Sequence, residues 1–536
     1  MPALSKKSMN RTRLDLAMVF IFVLSLLLGA YVRISQLLPL HFPINDGGLF
    51  YAMTGELQAN GFHLPAFVSY NHTNIPFVYP PLGFYFAGLL SSLTGWPLLK
   101  IFQFLPAILA TLTIPAFFLL ARDLLKSKAV IALSTLIFAL IPANFYWLIM
   151  GGGVTRALGF LFSLLTLWSV LRMCTRPEKK YVFFSAVLGT LTVLSHPESA
   201  IHTVVGALVI FLFLGRTKVN LVKSVIVAAA VIALSSPWWA SVIAVHGFSP
   251  FLAAFGTGGY RISVLLGFFQ INLAQESYLT FIGVLAVIGL FYELSKKRFF
   301  LPVWWFANIL SEPRSAVLYF TPIIAILAAR VLGDLVFPAI NKLGSKLKEA
   351  DKQRSWADEL LSGTLAKIAF TFLLVYFIMS AYQVPYEESR KLVVRDGDLT
   401  AFQWVKTNLA PGQNFLLLTG EDPLMDPTSE WFPALTGENS LATIQGYEWI
   451  QNREFMDMLV TSSYLQVCTV LDSQCLEDWK AQTGLTFDYV YILKWQVENK
   501  GGFELIPWPI QDSLLESGAY EVIYDTQSTT IYKVNK

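Results

Sequence analysis

The chain has 536 residues, of which 55% are hydrophobic and only 14% charged. Soluble proteins carry about 25% charged residues, so an ordinary soluble protein is excluded for most of the length. The net charge of +3 is too small to argue for a nucleic-acid partner, and three cysteines exclude a disulfide-built scaffold.

Apolar runs fill residues 14 to 383, and basic residues cluster in alternate loops: Lys6 to Arg13, Arg122 to Lys128, Arg172 to Lys180, Arg216 to Lys223, Lys296 to Arg298, and Lys342 to Arg354. Positive clusters mark the cytoplasmic side of a membrane. A span needs about 20 apolar residues. The pattern predicts a polytopic α-helical protein of about eleven spans, near 14–38, 99–121, 129–149, 155–171, 181–195, 198–214, 222–243, 277–294, 299–311, 314–336 and 363–383. The first run is too long and wrongly flanked for a cleaved signal peptide. The expectation is an integral plasma-membrane protein with a cytoplasmic N-terminus and an extracytoplasmic C-terminal domain.

Residues 39–98 form a large first external loop. Within it, the apolar stretch 81–94 reads as an interfacial or re-entrant helix, because a span there would put the Arg122 cluster outside. Between Lys180 and Arg216 the chain must hold two spans of about 15 residues, each rising roughly 22 Å against a core about 30 Å thick. The turn Ser195-His196-Pro197-Glu198 is therefore expected below the outer surface, where polar backbone must line a cavity or be covered by protein.

Residues 388–536 have ordinary charge density and read as a soluble α/β domain after a membrane domain of residues 1–387. Strands are expected at Phe415–Leu418, Tyr489–Leu493, Tyr520–Tyr524 and Thr530–Tyr532, with helices over 399–408 and 450–460. Cys468 and Cys475 lie seven apart in this domain, where a bridge and free thiols are both open.

Few polar groups remain on the external side. Asp46, in Asn45-Asp46-Gly47-Gly48 just past the first span, is a carboxylate at the membrane surface or a plain turn residue. Arg156 follows Gly151-Gly152-Gly153 at a helix start, which makes either an anion site or a flexible loop with a snorkelling arginine. Arg261 and Arg314 are two more external arginines; with Arg156 they could grip a lipid-linked phosphate or be unrelated. Glu198 and His202 share a helix face beside His196, suiting a divalent metal, an acceptor contact or a capped helix start. In the C-terminal domain Trp431, Tyr447 and Trp449 could stack on a sugar ring or simply fill that domain's core.

These pieces, in this order, resemble the C-type membrane glycosyltransferases: protein O-mannosyltransferases, aminoarabinose transferases and oligosaccharyltransferases. The resemblance rests on an acid after the first span, the Pro80-Pro81-Leu82 segment, Glu312-Pro313-Arg314 before a late span, and an external C-terminal domain. It implies a polyprenyl-phosphate-linked sugar donor, a glycan, lipid or protein acceptor, and an inverting transfer with Asp46 as general base. Many relatives have paired acids where this chain has Asn45-Asp46, and metal-using relatives carry an acid in the second external loop, which Gly151 to Arg156 lacks. The alternatives are a polyprenyl-lipid or polysaccharide transporter and a non-catalytic glycan-binding membrane protein. Transporters usually show internal repeats and broken helices, which the sequence does not.

Overall fold

The computed structural model describes residues 6–256, 280–344, 357, 360–450, 454–499 and 502–535. The first part is a helical bundle: α1 (Lys6–Ile34), α2 (Gly48–Ala59), α3 (Leu82–Thr94), α4 (Leu98–Leu124), α5 (Lys128–Leu140), α6 (Gly153–Thr175), α7 (Lys180–Ser195), α8 (Pro197–Leu214), α9 (Lys218–His246), α10 (Ser249–Gly256), α11 (Phe281–Ser295), α12 (Phe300–Ser311), α13 (Ala316–Arg330), α14 (Phe337–Gly344) and α15 (Thr364–Lys391). Each of the eleven expected spans falls on one of these helices. Among the described residues, seven helical stretches are long and apolar enough to cross a membrane, and the rest of the expected spans fall on shorter apolar helices.

Some expected boundaries move: the first span, expected to reach residue 38, lies on α1, which ends at Ile34. The third span was expected to reach residue 149, but α5 stops at Leu140 because Pro142 forces Ile141 out of helical geometry and opens a single 3₁₀ turn. The expected domain boundary at 387/388 falls inside α15, which continues to Lys391. The loop carrying Lys346, Lys348, Lys352 and Arg354 lies outside the described residues.

After α16 (Asp396–Asn408) comes a five-stranded mixed sheet of β3 (Asn414–Leu418), β4 (Asn439–Ser440), β5 (Tyr489–Leu493), β8 (Tyr520–Asp525) and β9 (Thr529–Val534), in the order β4-β3-β5-β9-β8. The small pairs β1 (Phe67–Val68) with β2 (Ile75–Pro76), and β6 (Trp495–Asn499) with β7 (Gly502–Ile506), lie apart from it. β5 runs parallel to β3 and antiparallel to β9. Strand side chains alternate between faces. Phe415, Leu417, Tyr489, Tyr491 and Ile531 join the same apolar core as the membrane helices, through α17 (Pro427–Thr436). Leu416, Leu418, Val490, Ile492 and Tyr532 face a separate core with α18 (Glu454–Val467), α19 (Gln474–Thr483) and α20 (Pro509–Glu516). One face of the sheet is thereby seated on the helical body. Cys468 and Cys475 are bridged.

Candidate active site

The loop after α1 carries Asp46 under tight backbone constraint. Asn45 sits at φ 51 and Gly47 at φ 129, the latter a conformation suited to glycine. A side chain at Gly47 would also strike the Gly151 backbone at 2.9 Å. The glycine run before α6 lets two segments pack backbone to backbone: a Cβ at Gly151 would lie 2.2 Å from the Asp46 carbonyl oxygen. The anion held at this helix start is the protein's own carboxylate. Gly152 N–H donates to Asp46 Oδ1 at 3.1 Å, and Arg156 Nη2 donates to Oδ2 at 2.9 Å. Arg156 Nη1 is taken by the Trp147 carbonyl at 2.6 Å.

A second carboxyl reaches this loop from α17. Glu430 Oε1 accepts from the Gly47 amide at 2.8 Å and the Leu49 amide at 3.4 Å, capping the start of α2. Burial, and then the nearby Asp46 carboxylate, push the Glu430 carboxyl up to about 8, even though the loop amides pull it down. The neighbouring Trp431 donates its indole N–H to the Asn45 carbonyl at 2.8 Å and packs edge-on to Phe42 at 4.7 Å. Trp431 is fully buried, so it braces the Asp46 loop from behind and offers no face to a sugar.

The deep turn and the start of α13 form the opposite wall. His196 is the N-cap of α8, its Nδ1 accepting from Ser199 N–H at 3.4 Å, with Pro197 in the first turn as expected for a helix start. His202, one turn further in, is buried against other groups: stacked on Tyr319 at 4.1 Å, bonded to Asn308 at 2.9 Å, and 3.6 Å from Glu312. Glu312 closes the start of α13 by accepting from the amides of Arg314 (3.0 Å) and Ser315 (2.8 Å) and from the Ser315 hydroxyl. Burial would raise the Glu312 carboxyl, but contacts with His202 and Ser315 outweigh it and hold the group at about 2. Arg314 is exposed and makes no ion pair among the described residues.

These walls enclose a cavity of about 550 Å³. Asp46, Arg156, His196, Glu198, Arg314 and Trp449 all line it, as do Tyr79, Glu312, Glu430 and Glu448. His202, Trp431 and Tyr447 do not. Arg261 lies outside the described residues. Glu430 as a carboxyl facing Asp46 was missed from sequence, since an acid inside a soluble-looking segment reads as a solvated surface group. Tyr79 directly precedes Pro80-Pro81-Leu82, and in the local sequence it reads as no more than part of a helix start.

A divalent ion was one reading of the His196, Glu198 and His202 group. Among the described residues no cluster of three His, Cys, Asp or Glu side chains is placed to hold one. The reason is local: His202 and Glu312 bind each other and their helix partners. This donor set does not fit a metal ion of the usual ligation.

Residues 78–241 match the family model of dolichyl-phosphate-mannose-protein mannosyltransferase. No curated protein matches the sequence. Among solved structures, the Archaeoglobus fulgidus oligosaccharyltransferase in its apo form superposes with a TM-score of 0.58 at 14% identity, over 88% of this chain and 69% of that one. ArnT from Cupriavidus metallidurans, bound to undecaprenyl phosphate, gives 0.52 at 13% identity over 96% and 97% of the two chains. The arabinofuranosyltransferase AftD from Mycobacteria gives 0.54 at 14% identity over 100% of this chain and 40% of its own. These superpositions show the fold: the chain has the fold of the C-type membrane glycosyltransferases, and its residues 78–241 match a mannosyltransferase family model.

Proposed function

We propose that the protein transfers a sugar from a polyprenyl-phosphate carrier to an acceptor on the extracytoplasmic side, with inversion at the anomeric carbon. The observation that carries this reading is a cavity lined by both Asp46, held by Arg156 and the Gly152 amide, and Arg314, which makes no ion pair among the described residues. The superposition on ArnT, whose structure holds undecaprenyl phosphate, supports a lipid phosphate as the leaving group.

The chemistry follows from what each group can do. Asp46 accepts the proton of the acceptor hydroxyl as its oxygen bonds to the anomeric carbon. The bond from that carbon to the phosphate oxygen breaks, and the electron pair leaves on the phosphate. Arg314 stabilises that charge, since a guanidinium matches phosphate oxygens in a two-point bond. Arg156 and the Gly152 amide fix the Asp46 carboxylate and leave its remaining lone pairs for the acceptor. Glu198 and Trp449 are the acceptor contacts in this reading, and His196 shapes the turn that presents Glu198. No metal takes part in the scheme.

The test is purified protein given a polyprenyl-phosphate sugar labelled in the sugar. Release of polyprenyl phosphate with label in a new glycoside supports the reading. Movement of intact donor across a vesicle membrane without cleavage would favour a transporter instead.

A further inference from the structure

A second cavity, of about 400 Å³, lies at the other end of the bundle. α4 starts beside the Asp46 loop, with Lys100 bonded to the His41 carbonyl at 3.3 Å, and runs 27 residues, or about 40 Å, away from it. The second cavity is built where α4 ends. Lys126 comes from the turn between α4 and α5, Arg298 from the turn between α11 and α12, and Arg330 and Asp334 from the end of α13. Leu125 and Val130 supply an apolar wall.

The end of α13 is irregular at this point. Residues Val331–Val336 form a π-helical turn that carries Asp334 at the cavity. Such turns widen a helix and recur at functional sites.

The charges do not cancel. The buried Glu293 carboxylate is shared by Arg330 at 2.9 Å and Arg298 at 3.6 Å. Among the described residues Lys126 makes no ion pair and the buried Arg330 Nε has no acceptor. Three cations against Glu293 and Asp334 leave one net positive charge. A phosphodiester carries one negative charge. Phe299 (49%) and Leu335 (38%), next in sequence to the cavity residues Arg298 and Asp334, are exposed, as side chains that face acyl chains would be. A basic pocket between helix ends at one membrane face is a known way of holding a lipid headgroup.

We propose that this cavity binds the phosphodiester headgroup of an anionic membrane lipid from the leaflet opposite the Asp46 cavity, with the acyl chains outside it on the side of Phe299 and Leu335. The site is separate from the donor cavity and does not rest on the proposed reaction.

The experiment is native mass spectrometry of the full-length protein, titrated with phosphatidylglycerol or phosphatidylcholine, in wild type, in Lys126→Ala/Arg298→Ala and in Lys126→Arg. Both positions are exposed, and neither holds a buried partner alone, so the double variant should fold; its Tm is recorded alongside. The expected result is one tightly held phosphatidylglycerol in wild type and in Lys126→Arg. In the double variant its affinity should fall by at least about tenfold, as for loss of a charge-assisted hydrogen bond. Equal retention in the double variant, or equal affinity for phosphatidylcholine, would overturn the proposal. Displacement of the lipid by millimolar inorganic phosphate would instead mark a site for soluble phosphate and overturn the lipid assignment.

Discussion

Arg156 and Asp46, 110 residues apart in sequence, form an ion pair at 2.9 Å that ties the loop after the first span to the start of α6. This pairing separates two arginines that the sequence presents as equivalent. Arg156 is spent on orienting a carboxylate, whereas Arg314 lines the cavity and makes no ion pair among the described residues.

The two arginines should therefore fail differently. Arg314→Ala is expected to weaken donor binding about ten- to hundredfold, the usual cost of a lost charge-assisted hydrogen bond. Arg156→Ala should lower turnover at saturating donor while leaving donor affinity near wild type. Donor titration and kcat measured on both variants check this. Matching losses of donor affinity would return Arg156 to the phosphate.

Gly152→Ala isolates the carboxylate's position. The backbone there, at φ −65, suits alanine, but the added Cβ would lie 2.5 Å from Asp46 Oδ2. The cheapest response is for the Asp46 side chain to swing away. The variant should fold with a Tm close to wild type and lose turnover by about 10²-fold or more, as when a general base is misplaced. Full activity would mean that the observed carboxylate position is not the working one.

Glu430 gives a pH signature. Its carboxyl rises from an ordinary value of 4.5 to about 8 in the folded chain, so the folded state binds more protons than the unfolded state between those values. Stability from this group is complete below about 4.5 and is lost as pH rises through about 8. Glu430→Gln keeps an oxygen for the Gly47 and Leu49 amides but cannot ionise. The difference in Tm between wild type and variant should change steadily across that window, with wild type losing ground as pH rises. A difference independent of pH would show that Glu430 does not titrate there.

The membrane architecture was legible because two signals are written along the chain itself: apolar runs long enough to span, and basic residues between them. The strands were legible for a similar reason, since Phe415–Leu418 and Tyr489–Leu493 are short apolar runs ended by turn residues. Asp46, Glu198 and Arg314 could be singled out because a charged group near the outer surface of such a chain is rare. Their partners could not. Glu430 meets the Gly47 amide across 383 residues, and no local pattern announces that approach. Aromatic residues were ambiguous in the same way: Trp431 is sealed under the Asp46 loop while Trp449 lines the cavity, and a tryptophan reads identically in both places. His202 shares a helix face with Glu198, yet the depth of packing turned it toward Asn308, Glu312 and Tyr319.

The orientation is open to chemical labelling. Cysteines placed at Ser69 and at Glu421, on the side of the Asp46 loop and in the C-terminal domain, should react with an impermeant thiol reagent on intact cells. One placed at Lys297, in the basic turn after α11, should react only after permeabilisation. Labelling of the Lys297 position from outside would invert the assignment and move the cavity to the cytoplasmic face.

In the proposed reaction Asp46 deprotonates the acceptor and the anomeric carbon inverts. The most direct measurement is single-turnover transfer by wild type and Asp46→Asn from an anomerically defined polyprenyl-phosphate sugar, with product configuration read by NMR and donor affinity measured in parallel. The expected result is an inverted product from wild type and a rate about 10²–10⁴-fold lower in the variant at unchanged donor affinity. Retained configuration, or a variant that turns over near the wild-type rate, would contradict it.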